Sequence, residues 1–164
     1  MYPVKLGYSG AKQRIQDLLS NGHHAEALLT SVFTFEKIVH RTLRQLVVSA
    51  GFTSASTKIL LGQVRGFGKQ REVWQCFDPQ QRTLVNVISS PHWQHINKAV
   101  EMRNKMVHGV RVYDLPSCQT QAQHIVCLLD DTVAAFQATY GYDGWSDVSK
   151  RFKPKLHSDP KVLV

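Results

Sequence analysis

Arg103, Asn104 and His108 are the residues whose types and spacing suit chemistry on a phosphate ester. Arginine carries five N–H donors, keeps its charge at any physiological pH and grips a phosphate through two parallel hydrogen bonds. Histidine moves protons near neutral pH as general acid or base. An amide beside them can orient either partner. All three fall in the run Arg103-Asn104-Lys105-Met106-Val107-His108, and the next residue is Gly109, a helix stop.

The Ser90-Pro91 pair is a helix-start signature, so a helix is expected over Pro91–His108. With Ile96 at zero and about 100° per residue, Trp93, Val100 and Val107 fall at about 60°, 40° and 20°. These residues define the expected buried face. Arg103 falls at about −20°, within that stripe, while Asn104 and His108 fall at about 80° and 120°, on its edge. An arginine on an apolar face must find acceptors for its donors. Two readings stay open: a buried ion pair, with Glu36 on the long second helix as candidate partner, or a phosphate or subunit seam.

Other patterns are weaker. The stretch Gly62-Gln63-Val64-Arg65-Gly66-Phe67-Gly68-Lys69-Gln70 lacks a Walker loop, because Gln70 stands where the hydroxyl residue belongs. Arg65, Lys69 and Arg71 nevertheless cluster there, as a solvated connector before all else or as candidate contacts to RNA phosphates, and Lys105 and Arg111 join them around the motif. His92 and His95, like His23 and His24, lack the fixed convergence and the Cys or carboxylate company that zinc requires. They read as surface histidines, and neither a metal nor a cofactor is expected. The rings of Trp74 and Trp93 offer stacking faces for bases, although the helix arithmetic puts Trp93 in the core.

The elements that must position these residues are helical. A short helix is expected over 9–20, ended by Asn21-Gly22, and a long one over His23–Ala50, with Leu28, Val32, Phe35, Val39, Leu43 and Leu46 on one face. Further helices are expected over Thr53–Val64, from Pro79 to about Ile88, over Pro91–His108 and over Ser117–Tyr140. Gly66-Phe67-Gly68 reads as a break, and 69–77 is ambiguous. Short connections and the absence of alternating strand patterns imply an all-α, up-and-down bundle of about five to six helices. One domain over 1–145 is expected, followed by a basic, weakly ordered tail over 146–164.

Charge adds a direction. The formal net charge is +8, and Lys37–Arg111 holds 12 Lys and Arg against Glu72, Asp78 and Glu101. From Val112 to Asp147 there are five Asp and no Lys or Arg, and the tail then supplies Lys150, Arg151, Lys153, Lys155 and Lys161. That asymmetry suits a polyanionic partner on one side. The three cysteines lack metal spacing and make an odd number, which fits a reducing, cytoplasmic setting. No signal peptide or membrane span is expected.

At Arg103, Asn104 and His108 the chain resembles HEPN domains, whose signature is Arg-Asn-x-x-x-His near the end of a late bundle helix. The long helices before and after the motif extend the resemblance over roughly residues 9–140. It implies a metal-independent endoribonuclease, often a toxin or antiviral effector, with an active site shared across a homodimer. His108 would then act as general acid or base at the ribose 2′-OH or the leaving oxygen. Arg103 would stabilise charge on the scissile phosphate, and Asn104 would orient the histidine or the phosphate. Attack by the 2′-OH would leave a cyclic phosphate and restrict the substrate to RNA. The same resemblance admits a non-catalytic module that binds nucleotide, RNA or a partner protein, and an antitoxin encoded separately.

Overall fold

In the computed structural model, which describes residues 7–156, two helices of 26 residues form the axis of the bundle: α2 (His24–Ser49) and α7 (Leu115–Tyr140). Each is about 39 Å long, and they pack against each other more extensively than any other helix pair among the described residues. Helix α1 (Tyr8–Ser20) packs on α2 and α7. Helices α3 (Ser54–Gly62) and α4 (Gly66–Phe77) pack on α2, and α5 (Leu84–Ile88) packs on α7. A single 3-10 turn, Pro91–Trp93, leads into α6 (Gln94–Val107), which lies against both long helices. Seven helices and no strand are present among the described residues, an all-α bundle. No described helix is long and apolar enough to cross a membrane, and the three cysteines are free.

Helix α2 is surrounded, and this explains why its buried face is wider than one apolar stripe. Beside Leu28, Val32, Phe35, Val39 and Leu43 it buries Ala27, Ser31, Thr34, Ile38, Thr42 and Val47. Ser31 and Thr34 tolerate burial because their hydroxyls donate to carbonyls of their own helix, Leu28 at 2.9 Å and Thr30 at 2.7 Å. Trp74 of α4 is fully buried and stacks on Phe136 of α7, with ring centroids 5.3 Å apart. A nucleic-acid base therefore has no access to it.

Two expected boundaries move. The Gly66-Phe67-Gly68 run begins α4: Gly66 takes φ +80° at the turn, and buried Phe67 anchors the first helical residues beside Phe35. The helix expected from Pro79 starts only at Leu84, with Thr83 capping it. The reason is Asp78. Its buried carboxylate accepts from the backbone amides of Gln80 and Arg82, both at 2.9 Å, and so closes a turn. It also accepts from Arg82 Nε at 3.1 Å, from Arg82 Nη2 at 3.0 Å and from the Tyr140 hydroxyl at 2.5 Å. One carboxylate thereby joins the end of α4 to the end of α7.

Residues 146–156 run back along the C-terminal half of α2. Gln45 and Ser149 exchange two hydrogen bonds, Arg151 Nε donates to the Val48 carbonyl at 3.0 Å, and Lys155 N donates to the Gly51 carbonyl at 2.8 Å. Gly144, at φ +76°, makes the approach: a Cβ there would collide with the Ile38 side chain. The rest of the basic tail, including Lys161, lies outside the described residues, as do residues 1–6.

Burial would raise the Asp78 pKa, but hydrogen bonds from Arg82, Tyr140 and two amides outweigh it and hold the group at about 2. A depressed carboxylate stabilises the fold above its unfolded pKa, and that stability is lost as pH falls from about 4 toward 2. Asp78→Asn is expected to lower stability by about 2–3 kcal/mol at neutral pH and to flatten the acid limb between those values, as read from urea unfolding at stepped pH.

Candidate functional site

Helix α6 presents a different face to the core from the one the apolar residues suggest. Its buried residues are Ile96, Ala99 and Met102, centred near −60° on the same wheel. Val107 is 54 % exposed, and Trp93 stands in the 3-10 turn, where the 100° step does not apply. Arg103 lies about 40° from the centre of the buried stripe and stays half-buried, whereas His108 lies roughly opposite the centre.

Arg103 meets Glu36. The guanidinium donates through Nη2 to Glu36 Oε1, and the two side chains are only 13 % and 18 % exposed. Its plane sits 4.8 Å from the centre of the Phe33 ring, a cation–π contact with a ring that is itself half exposed. The buried Nε finds no acceptor among the described residues. Burial pushes the Glu36 carboxyl up, and the charge and hydrogen bond of Arg103 pull it back only in part.

His108 caps the C-terminus of α6 and is exposed, as is Asn104. Neither side chain has a hydrogen-bond partner among the described residues. The turn after them is tied down by Gly109 at φ +66°, by Val110 N donating to the Lys105 carbonyl at 2.8 Å and by His108 N donating to the Asn104 carbonyl at 3.0 Å. Arg103 and His108 point to different sides of α6, so one chain alone does not bring them to a common point.

Lys105 and Arg111 do come together. With Lys98, Glu101, Met102 and Tyr113 they line an open cleft of about 330 Å³ between α6 and the start of α7. Lys105 pairs with Glu101 at 2.5 Å, and Arg111 lies 4.9 Å over the Tyr113 ring. His108 stands between these two cations in the chain. Arg65, Lys69 and Arg71 do not converge. Arg65 donates to the Gly62 carbonyl, Lys69 pairs with Glu72 at 2.7 Å, and Arg71 donates to Asn97 at 3.0 Å while lying over Phe67 and Trp93. They sit at the start of α4 rather than on a connector loop, because Gly66 begins that helix.

The structure also brings a distant histidine, His124, to the neighbouring pair His92 and His95. His95 of α6 stacks flat on His124 of α7 at 3.6 Å between centroids, and His92 Nδ1 lies 3.2 Å from His124 Nδ1. His124 carried no signal of its own, since only the docking of α6 on α7 makes the group. No set of three or more His, Cys, Asp or Glu among the described residues has metal-holding geometry. Burial, then the charges of His95 and His92, lower the His124 pKa.

Comparisons with protein-family models, with curated proteins and with solved structures find no match to this chain.

The ion pair predicts a coupled energy. Arg103→Ala and Glu36→Ala are each expected to cost about 1–3 kcal/mol in urea unfolding. The double variant should lose clearly less than their sum, because each single change leaves one half-buried charge unpaired. The histidine group predicts a pH dependence. A lowered His pKa means that stability is lost as pH falls below its unfolded value of about 6.5. His124→Gln should lose less stability than the parent chain between pH 7 and pH 5.

Proposed function

We propose that this chain is a HEPN-type endoribonuclease acting as a homodimer. The observation that carries the reading is the α6 end: an exposed His108, without a partner among the described residues, flanked in the chain by Lys105 and Arg111, two cations that line one open cleft. The cations bind the phosphates of an RNA strand, and the histidine serves as general acid or base at the ribose 2′-OH or the leaving oxygen. The 2′-OH attacks the neighbouring phosphorus, the leaving 5′-oxygen takes a proton, and a cyclic phosphate end remains. No metal or cofactor is required for that chemistry.

Arg103 reaches the scissile phosphate only from a second copy, because within one chain it faces another side of α6. A seam on this side is supported by exposed apolar residues around it, Phe33, Val107 and Val110. A phosphate there competes with Glu36 for the guanidinium, and Asn104 orients the imidazole or the phosphate. The biological setting that fits is a toxin or antiviral effector in the cytoplasm, restrained by a separately encoded antitoxin.

One observation favours a second reading. The Arg103–Glu36 pair already satisfies part of the guanidinium, as it would in a non-catalytic module that binds RNA, a nucleotide or a partner protein. RNA cleavage with EDTA present separates the two. The enzyme reading expects cyclic phosphate ends, and His108→Ala should slow cleavage by about 10²–10⁴-fold with an unchanged melting temperature. Equal background from the parent chain and His108→Ala on varied RNAs sinks it. A strictly monomeric chain at micromolar concentration removes the shared site.

A further inference from the structure

A second donor-rich cleft lies on the other half of the molecule, where residues 146–152 cross α2 beside the start of α3. It holds about 440 Å³ and is lined by Arg41, Arg44, Ser54, Asp147, Lys150 and Phe152, among others. Arg41 and Arg44 are three apart and share one face of α2. Arg41 is fixed across the crossing segment by donating to the Ser146 carbonyl at 2.5 Å. Its acid neighbour, Asp147, is 4.0 Å away and fully exposed, so the charge of Arg41 is scarcely offset. Arg44 and Lys150 form no ion pair among the described residues. The Nε donors of Arg41 and Arg44 are buried without an acceptor. The pair's field also reaches His40 behind them: burial first, then Arg44 and Arg41, hold its pKa down.

The cleft thus offers three cations and many donors against one solvated carboxylate. Its natural complement is an acceptor-rich anion, and forked guanidinium groups match phosphate oxygens best. Phe152 sets the rest of the ligand. It is 84 % exposed, two residues from Lys150, and lines the cleft. A single ring with no apolar trough suits a nucleic-acid base rather than an acyl chain.

We propose that this cleft binds a phosphorylated nucleoside, with the phosphate on Arg41, Arg44 and Lys150 and the base stacked on Phe152. The site is separate from the α6 end and does not rest on the reading given for it. The ligand is either a free nucleotide or one residue of an RNA strand.

Calorimetric titration of the full chain with inorganic phosphate, 5′-AMP and a short oligouridylate tests this. Arg44→Gln is expected to weaken 5′-AMP and the oligouridylate about tenfold, with weaker binding at higher salt. Phe152→Ala should weaken both while leaving inorganic phosphate unchanged. Binding of 5′-AMP as tight as that of the oligouridylate assigns a free nucleotide, and a marked preference for the oligouridylate assigns a strand. If Arg44→Gln melts early, the exposed pair Lys150→Gln/Phe152→Ala gives the same readout. Binding of neither nucleotide probe overturns the proposal, as does parent-like affinity in the folded variants. A Phe152→Ala chain that keeps full 5′-AMP affinity overturns the assignment of a nucleoside.

Discussion

Everything in this molecule is arranged around the packing of α2 against α7. Two 26-residue helices meeting along their lengths bury Phe35, Val39 and Leu43 on one side and Ile125, Leu129 and Phe136 on the other. The shorter helices have too few apolar residues to stand alone and take their positions from this pair. Helix α6, which carries the candidate site, is held by only three fully buried residues, Ile96, Ala99 and Met102. Its rotation about its own axis, and so the direction of every polar group on it, follows from where α2 and α7 leave room.

Polar contacts then fix what apolar packing leaves free. Asp78 collects an arginine, a tyrosine and two amides, and so closes the bundle at the α4 and α7 ends. Near the same end, where Phe52 meets Phe77, residues 146–156 are held to α2 and α3 through Gln45, Ser54 and the backbone of Gly51. Arg103 and Glu36 add a third link, from α6 to α2, inside a half-buried region where an unpaired charge is costly. Each link spans elements that are distant in sequence, which hydrophobic burial alone specifies poorly because it has no direction.

The same links separate two chemistries. Arg103 is bound up with the fold, whereas His108 faces solvent at the helix end, and Lys105 and Arg111 are held by Glu101 and the Tyr113 ring at the surface. On the proposed reading the exposed group handles phosphate from its own chain, while the inward arginine holds Glu36 and reaches a phosphate only across a seam. The first needs solvent access and free donors, and the second needs burial beside a carboxylate. The second cleft repeats this division, with Arg41 tied to the crossing segment while Arg44 and Lys150 have no carboxylate partner among the described residues.

Much of the fold was legible in the chain because helix periodicity is a local property. The 3-4 spacing along α2, the Gly109 stop and the cap at Thr53 depend on neighbours within a few residues, and the structure keeps them. The inward lean of Arg103 and its pairing with Glu36 were also within reach, since a charge in an apolar stripe must be satisfied. What only the tertiary structure decided is which side of each helix counts as inside. Val107 looks like a core residue on a wheel, yet α6 turns Ala99 and Met102 inward instead, which leaves Val107 outside and sets His108 on the far side, while Trp93 packs against Phe35 and Phe67 from the 3-10 turn. The meeting of His92, His95 and His124, the turn built on Asp78 and the cleft between Arg44 and Phe152 arise where separate elements dock. Docking geometry is set by the shapes of distant surfaces, and no spacing within a single helix encodes it.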